Sequence, residues 1–287
     1  MNRAIVAGRR AVWLVVAMLI SSIAPVEAAF RGGNGPIVAQ AGVRMWLYNP
    51  DGRVIRSIDL KGVVSPELAP DSRWVVFARQ GDLAKVRVDG TGYRWLTNDA
   101  SAQSEPTWSP DGHHIVYVDE GALYVMRADG SNVRGLDAEG GSPAWSPDGT
   151  QIAYVSGDVY VMNSDGSEQE AVAPSLDRLE VSVDWAPDST RLVSQCGPRE
   201  FNSGLGTVTP HQICMFDLTG GASEVIYDDE LRAYSPTWAP SGRKIAFAAK
   251  PPGEEDQEVF TLRPDGTELT RLTYNAHHDR APDWGPR

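Results

Sequence analysis

The chain has 287 residues, two cysteines and a formal net charge of −12 at pH 7. A surface this acidic repels nucleic acid and anionic lipid, so the composition argues against a nucleic-acid-binding protein. The charge either keeps the protein soluble or attracts a cationic partner or a divalent metal.

The first 28 residues have the pattern of a secretory signal peptide. Arg3, Arg9 and Arg10 precede an apolar run of 13 residues at 11–23, and small residues lead to Ala28. Because about 20 apolar residues are needed to span a bilayer, we expect cleavage after Ala28 and no stable membrane insertion. Arg9-Arg10 also fits a twin-arginine export route. We therefore expect a periplasmic or secreted protein.

A seven-residue phrase, Pro-x-Trp-Ser-Pro-Asp-Gly, recurs along the rest of the chain. It occupies residues 106–112 and 143–149, with weaker copies at 66–72, 183–189, 236–242 and 282–286. The tryptophans, with Leu68 in place of the first, are 40, 37, 40, 53 and 46 residues apart. This is the period of a β-propeller blade, about 40 to 50 residues.

Each repeat contains four short segments rich in β-branched and aromatic residues, which predicts four strands. Ser-Pro-Asp-Gly predicts a turn between the first two strands, and Asp-Gly predicts a hairpin between the last two. A small sheet that is apolar on both faces must pack against neighbouring sheets, so the fold class is all-β, a six-bladed β-propeller of four-stranded antiparallel blades. Tryptophan recurs at one place in the repeat, which predicts packing between blades rather than sugar stacking.

The two ends of the chain together predict one complete blade. The sixth copy stops at Arg287 after its first strand, and the three missing strands match residues 36–60. Both termini would then close the last blade and leave no open sheet edge. The predicted domain covers residues 29–287, with blades at about 65–100, 104–138, 142–174, 182–228, 235–274, and 281–287 plus 36–60.

The two cysteines are expected to form a disulfide bond. Cys196 ends one strand-like run and Cys214 lies in the next, and export delivers both to an oxidising compartment. Two buried free thiols are the alternative.

Candidate binding residues fall into two groups. Glu67, Asp184 and Asp283 lie in first strands and would line the central channel with negative charge for a Lys- or Arg-bearing partner; alternatively, each bonds a neighbouring backbone amide. The second group lies on the long, irregular loops of the face opposite the Ser-Pro-Asp-Gly turns. Its members are His211, Asp228, Asp229, Tyr234, His277, His278, Asp279 and Arg280.

The histidines raise the question of a metal. His211, His277 and His278 would supply imidazole ligands, with carboxylates from Asp228, Asp229 and Asp279. Their spacing matches no recognised metal pattern, so we expect solvated loop residues, no metal site and no cofactor.

The phrase Trp-Ser-Pro-Asp-Gly, followed by Ile-Ala-Tyr, Leu-Tyr-Val-Met and Asp-Gly-Ser, resembles the propeller repeat of the TolB family. The resemblance covers almost all of residues 36–287 and implies a periplasmic platform that binds a protein at the channel mouth. That family carries an α/β domain before its propeller, which this chain lacks between the signal peptide and the first strand. The repeat also resembles propellers of prolyl-oligopeptidase-type peptidases and of oligogalacturonate lyase.

We therefore expect an exported, non-enzymatic, TolB-like scaffold that binds an envelope or secreted protein or peptide, or a glycan, as a monomer. No Gly-x-Ser-x-Gly nucleophile motif occurs in the sequence. The alternative is a metal-assisted carbohydrate lyase or hydrolase of the oligogalacturonate-lyase type, with His211, His277 and His278 as metal ligands.

Overall fold

A computed structural model describes residues 33–41, 44–172, 178–198, 211–228 and 231–286. The predicted signal peptide lies outside these residues. The described chain forms 24 strands in six antiparallel sheets of four. No membrane-spanning helix occurs among the described residues. The prediction of a six-bladed, all-β propeller is confirmed.

The first strand of every blade lies beside the central channel. These inner strands, for blades 1 to 6, are β4 (Val63–Leu68), β8 (Gln103–Trp108), β12 (Gly141–Trp145), β16 (Arg178–Trp185), β20 (Arg232–Trp238) and β24 (Asp279–Pro286). The second strands are β5 (Trp74–Arg79), β9 (His114–Asp119), β13 (Gln151–Ser156), β17 (Arg191–Pro198), β21 (Ile245–Lys250) and β1 (Asn34–Ala41).

The third and fourth strands extend each blade outward. The third strands are β6 (Asp82–Arg87), β10 (Ala122–Arg127), β14 (Asp158–Asn163), β18 (Gln212–Asp217), β22 (Glu258–Leu262) and β2 (Arg44–Tyr48). The outer strands are β7 (Arg94–Trp95), β11 (Arg134–Glu139), β15 (Glu170–Ala171), β19 (Ala222–Tyr227), β23 (Thr270–Arg271) and β3 (Val54–Ile58). Blade 6 has the order β24-β1-β2-β3, so strands from both ends of the chain complete it, as the sequence predicts.

The hydrophobic core lies between the blades. Six apolar clusters are present, and each combines residues of two neighbouring blades. We call each blade–blade interface a seam and number it by its two blades. Because every seam holds one cluster, burial of apolar surface there is what stabilises the ring.

The two predicted turns repeat with the same hydrogen bonds. In blade 2 the Ser109 hydroxyl donates to Asp111 Oδ1 at 2.6 Å, and Gly112 N donates to Ser109 O at 2.8 Å. In the Asp-Gly turn, Gly130 N donates to Arg127 O at 2.9 Å, and Gly130 has a φ of 90°. A Cβ on Gly130 would lie 2.5 Å from Leu96 O of blade 1, so glycine is required both by the turn and by the seam.

A disulfide joins Cys196 of β17 to Cys214 of β18, which confirms the predicted pairing. The Cα atoms are 5.9 Å apart, and the two strands are neighbours in blade 4. The bond closes the segment that contains residues 199–210, which lie outside the described residues.

Candidate binding channel

Two levels of inner-strand residues line the channel, which has a volume of about 220 Å³, and a third level lies nearer the start of these strands. The deepest level, the carboxylate ring, consists of the residues that precede the repeated Trp: Glu67, Thr107, Ala144, Asp184, Thr237 and Asp283. The bulge ring lies two residues earlier: Ser65, Glu105, Ser142, Ser182, Ser235 and Ala281. The mouth ring is one residue earlier again: Val64, Ser104, Gly141, Val181, Tyr234 and Arg280. The mouth ring lies toward the starts of the inner strands, on the face opposite the Ser-Pro-Asp-Gly turns.

The bulge ring owes its shape to proline. In five blades its residue precedes a proline and has a φ between 43° and 51°. The strand pairing shifts register at this point, which marks a β-bulge. Proline has no N–H, so the channel wall loses a hydrogen-bond donor at this level in five of its six blades.

The predicted channel acids bond backbone amides and also line the channel. Glu67 Oε1 accepts from Trp108 N at 2.7 Å and from the Thr107 hydroxyl at 3.0 Å. Asp184 Oδ2 accepts from Trp238 N at 2.7 Å and from the Thr237 hydroxyl at 3.0 Å. Each of these carboxylates accepts a hydrogen bond from a backbone amide of the next blade and remains half-buried at the channel.

The third acid, Asp283, brings two carboxyl groups together at seam 6/1. Asp283 Oδ2 accepts from Leu68 N at 2.8 Å. Leu68 is adjacent to Glu67, so Glu67 occupies the place that threonine holds at seams 1/2 and 4/5. Glu67 has no hydroxyl group to donate to Asp283, and the negative charges of the two carboxylates repel each other.

Burial shifts the pKa values of all three acids upward. Burial raises the pKa of Asp283 to about 7, and the charge of Asp184 adds to the effect. Burial raises the pKa of Glu67 well above its ordinary value of 4.5, and repulsion from Asp283 adds to the shift. Burial raises the pKa of Asp184 to about 6 in spite of its three hydrogen bonds. Raised carboxyl pKa values in a cavity are typical of a functional site.

Sequence reasoning missed three residues near the mouth. Glu105 Oε2 accepts from Ser142 N at 2.5 Å and adds a fourth carboxylate to the channel wall. Val64 and Val181 are 49 % and 45 % exposed in the mouth ring. Alignment of the inner strands by repeat would have placed all three beside the predicted acids.

The predicted residues Tyr234, His211 and Arg280 are near the same mouth. Tyr234 is half-buried and packs edge-on against the His211 ring, with 5.2 Å between ring centroids. Arg280 is exposed, and Asp228 is exposed after β19. Asp229 lies outside the described residues.

The loop that carries His277, His278 and Asp279 is built differently from the exposed loop expected from the sequence. Asp279 is fully buried: its Oδ1 accepts from the Tyr48 hydroxyl at 3.0 Å and its Oδ2 from Asn275 Nδ2 at 2.8 Å. Burial raises the pKa of Asp279 to about 6. Asp279 thus links Tyr48 of blade 6 to the segment that follows blade 5. The expectation that Asp279 is an exposed binding residue is therefore wrong, because its side chain is buried.

The same loop recurs between blades 1 and 2, which explains the burial. There Asp99 accepts from Ser101 N at 3.0 Å and from Gln103 Nε2 at 2.7 Å. Gln103 is 3 % exposed and holds the inner-strand position of Asp279. In both loops the buried polar residue at this position forms a hydrogen bond with the segment that connects the two blades.

The three candidate metal ligands have separate contacts. His277 packs on Trp46, His278 Nε2 lies 3.1 Å from Asp256 Oδ1, and His211 packs on Tyr234. Over the described residues, the only close group of potential ligands is Glu180 with Cys196 and Cys214, and these cysteines are disulfide-bonded. The geometry therefore gives the metal-assisted alternative no support.

No protein-family model and no curated protein matches the chain. TolB from Acinetobacter baumannii has a TM-score of 0.72 at 15 % identity, over 88 % of this chain and 67 % of that one. A putative TolB from Agrobacterium tumefaciens gives 0.63 at 19 % identity, over 83 % and 88 %. A nidogen/laminin complex gives 0.71 at 9 % identity, over 87 % and 98 %.

The chain has the propeller fold of TolB. At these identities the similarity shows the fold alone, so a TolB-like propeller can carry many functions.

Proposed function

We propose that this TolB-like propeller is an exported, non-enzymatic scaffold that binds a protein or peptide at its mouth. A Lys or Arg side chain of the partner enters the channel and pairs with Glu67, Asp184 and Asp283. The observation that carries the proposal is that three acids with raised pKa values line one narrow channel.

The hydrogen-bonding groups that line the channel favour a positively charged side chain of the partner. The amides of Leu68, Trp108 and Trp238 already donate to the ring carboxylates, and proline removes further donors from the bulge ring. Few backbone N–H donors therefore remain free at these two levels, and the carboxylates are acceptors that suit an ammonium or guanidinium group. Repulsion between Glu67 and Asp283 falls when a cation lies between them.

The mouth ring suits the apolar residues that flank such a side chain. Val64, Val181 and Tyr234 present apolar surface above the acidic channel. An apolar rim around a charged anchor is a common arrangement in protein interfaces. The disulfide bond in blade 4 is consistent with an exported protein.

The test is site-specific cross-linking in the native host. A photoreactive phenylalanine in place of Val181 captures the partner, and mass spectrometry locates the linked peptide. We expect that peptide to contain Lys or Arg, and its synthetic form to bind the purified propeller. The variant Glu67→Gln/Asp184→Asn/Asp283→Asn is expected to lose at least tenfold in affinity.

The matched control is Asp51→Asn/Asp89→Asn/Asp265→Asn. It removes the same formal charge from turns on the opposite face. Equal losses in both triple variants would mean general electrostatic attraction rather than a channel site. Capture of peptides without a basic residue would contradict the proposal.

A further inference from the structure

One of the five repeated tryptophans differs from the others. Trp108, Trp185, Trp238 and Trp284 are 3 to 4 % exposed, whereas Trp145 is partly exposed. Trp145 lies at seam 2/3, so this seam covers its indole less completely than the others do. Trp145 still packs against the apolar cluster of seam 2/3, as the repeat predicts, but part of its side chain stays open.

The equivalent seams show what covers an indole elsewhere. At seam 1/2 the Lys85 ammonium lies 5.4 Å from the Trp108 ring and 5.0 Å from the Trp74 ring. Lys85 also donates to Ala128 O of blade 2 at 2.6 Å. At seam 4/5 the Arg191 guanidinium lies 5.1 Å from the Trp238 ring.

At seam 2/3 smaller residues hold the covering positions. By position in the strand pairs, His114 of blade 2 is equivalent to Trp74 of blade 1, and Val125 is equivalent to Lys85. Neither side chain is long enough to reproduce the Lys85 contacts. A cavity of about 530 Å³ lies beside Trp145, on the face that carries the Ser-Pro-Asp-Gly turns, and both His114 and Val125 line it.

The cavity has the size and lining of a ligand site. Its volume lies in the range of small-molecule pockets, about 300 to 1,000 Å³. Donors from Arg127, Arg134 and Asn132 and the carboxylates of Asp148 and Asp165 surround the indole. A second cavity of about 440 Å³ shares His114 and Arg127 with it, so the groove continues outward.

We propose that this groove is a carbohydrate site, in which the C–H face of one sugar ring packs on Trp145. Sugar hydroxyls both donate and accept hydrogen bonds, and the lining offers acceptors as well as donors. An indole presents a broad apolar face to a ring. A second sugar residue occupies the adjoining cavity near His114 and Arg127. Trp145 and Pro147 line both this cavity and the channel, but the cavity lies on the face of the ring opposite the mouth ring.

Other small-molecule classes match this lining less well. A polyphosphate would face repulsion from Asp148 and Asp165, and a purely apolar ligand would leave the Arg127 guanidinium without a ligand partner. Arg134 Nη1 donates to Asp165 O at 3.1 Å. Within the described residues neither arginine forms an ion pair, so both keep N–H donors for sugar oxygens or a sugar carboxylate.

The test begins with the purified protein on a glycan array that carries neutral, amino and acidic sugars. The best glycan is then titrated in solution by calorimetry. The variant His114→Trp/Val125→Lys copies seam 1/2 into seam 2/3 and fills the pocket with side chains that this fold already accommodates. We expect it to keep or raise the Tm and to lose at least tenfold in glycan affinity.

Two further variants separate the pocket from a general charge effect. Arg127→Gln is expected to weaken binding, whereas Arg87→Gln, at the equivalent strand position of blade 1, is expected to leave it unchanged. The proposal is wrong if no glycan binds the unmodified protein. It is also wrong if the filled variant binds as well as the unmodified protein does.

Discussion

The pKa values of individual carboxyl groups in this protein are shifted in opposite directions. Turn aspartates such as Asp129 accept bonds from the next Ser or Thr, and these bonds lower their pKa. Channel acids have a raised pKa because burial penalises their charge. The turn acids therefore stabilise the fold when ionised, and the channel acids when protonated.

The channel acids give a prediction for stability against pH. Asp283 has a folded pKa of about 7 against an ordinary 3.8, so between these values the folded protein binds more protons than the unfolded chain. Its contribution to stability is fully present below about pH 4 and is lost as pH rises through 7. Asp283→Asn is expected to flatten this decline, which for one group is at most about 1.4 kcal/mol per pH unit.

Chemical denaturation at several pH values between 4 and 8 measures this effect. Asp129→Asn is the control, because a lowered pKa makes its contribution disappear as pH falls. Asp129→Asn should lower stability by a constant amount from pH 4 to 8, so its slope over this range should match that of the unmodified protein. Parallel profiles for Asp283→Asn and the unmodified protein would show that Asp283 keeps an ordinary pKa.

At the scale of strands and turns, the seams determine which residues are replaceable. The glycines of four Asp-Gly turns contact a backbone carbonyl of the preceding blade. A Cβ on Gly52, Gly130, Gly166 or Gly266 would lie 2.0 to 2.6 Å from that oxygen. The hairpin signal in the sequence therefore specifies both a turn and a contact between blades.

This contact can be measured with two glycines. Gly130→Ala meets Leu96 O at 2.5 Å, whereas the nearest atom to a Cβ on Gly90 is 4.0 Å away. Both residues have a φ near 90°, so both variants incur the backbone cost of about 1 kcal/mol. We expect Gly130→Ala to lose about 1 to 3 kcal/mol more than Gly90→Ala in urea unfolding. Equal losses of stability would mean that seam 1/2 accommodates the added methyl group without a further cost in free energy.

The disulfide bond provides a second prediction about a single blade. Cys196 and Cys214 are separated by 18 residues, and a cross-link over such a segment stabilises by about 3 kcal/mol. Cys196→Ser/Cys214→Ser should lower the free energy of unfolding by about that amount. The unmodified protein in reductant should match the variant. A loss below about 1 kcal/mol would show that strand pairing alone holds blade 4.

For the whole molecule, closure of the ring depends on β24. This strand pairs with β1 and contacts the inner strands of blades 5 and 1. Deletion of residues 279–287 opens blade 6 and exposes the apolar clusters of two seams. We expect the shortened chain to lose its cooperative unfolding transition, followed by tryptophan fluorescence.

Addition of the missing segment as a peptide is the matching control. A synthetic peptide of residues 279–287 should restore the transition in a concentration-dependent way. A shortened chain that unfolds as cooperatively as the intact one would show that five blades suffice.

The repeat predicts the fold well because every copy carries the same turns and the same inner-strand anchor. It predicts the sites less well, since a site arises where neighbouring blades differ. Asp279 looks like part of an exposed His-rich loop until it is aligned with the buried Gln103. The cavity beside Trp145 is lined in part by His114 and Val125 of another blade, which no pattern local to Trp145 reveals.

The pairing of β1 with β24 also determines how the ring responds to mechanical force. Asn34 lies opposite Pro286, so the first and last described strands are antiparallel and meet at the same end. When the two ends are pulled apart, the force acts on the backbone hydrogen bonds between β1 and β24 one after another rather than on all of them at once. We therefore expect the propeller to open by peeling at low force when it is pulled by these two ends.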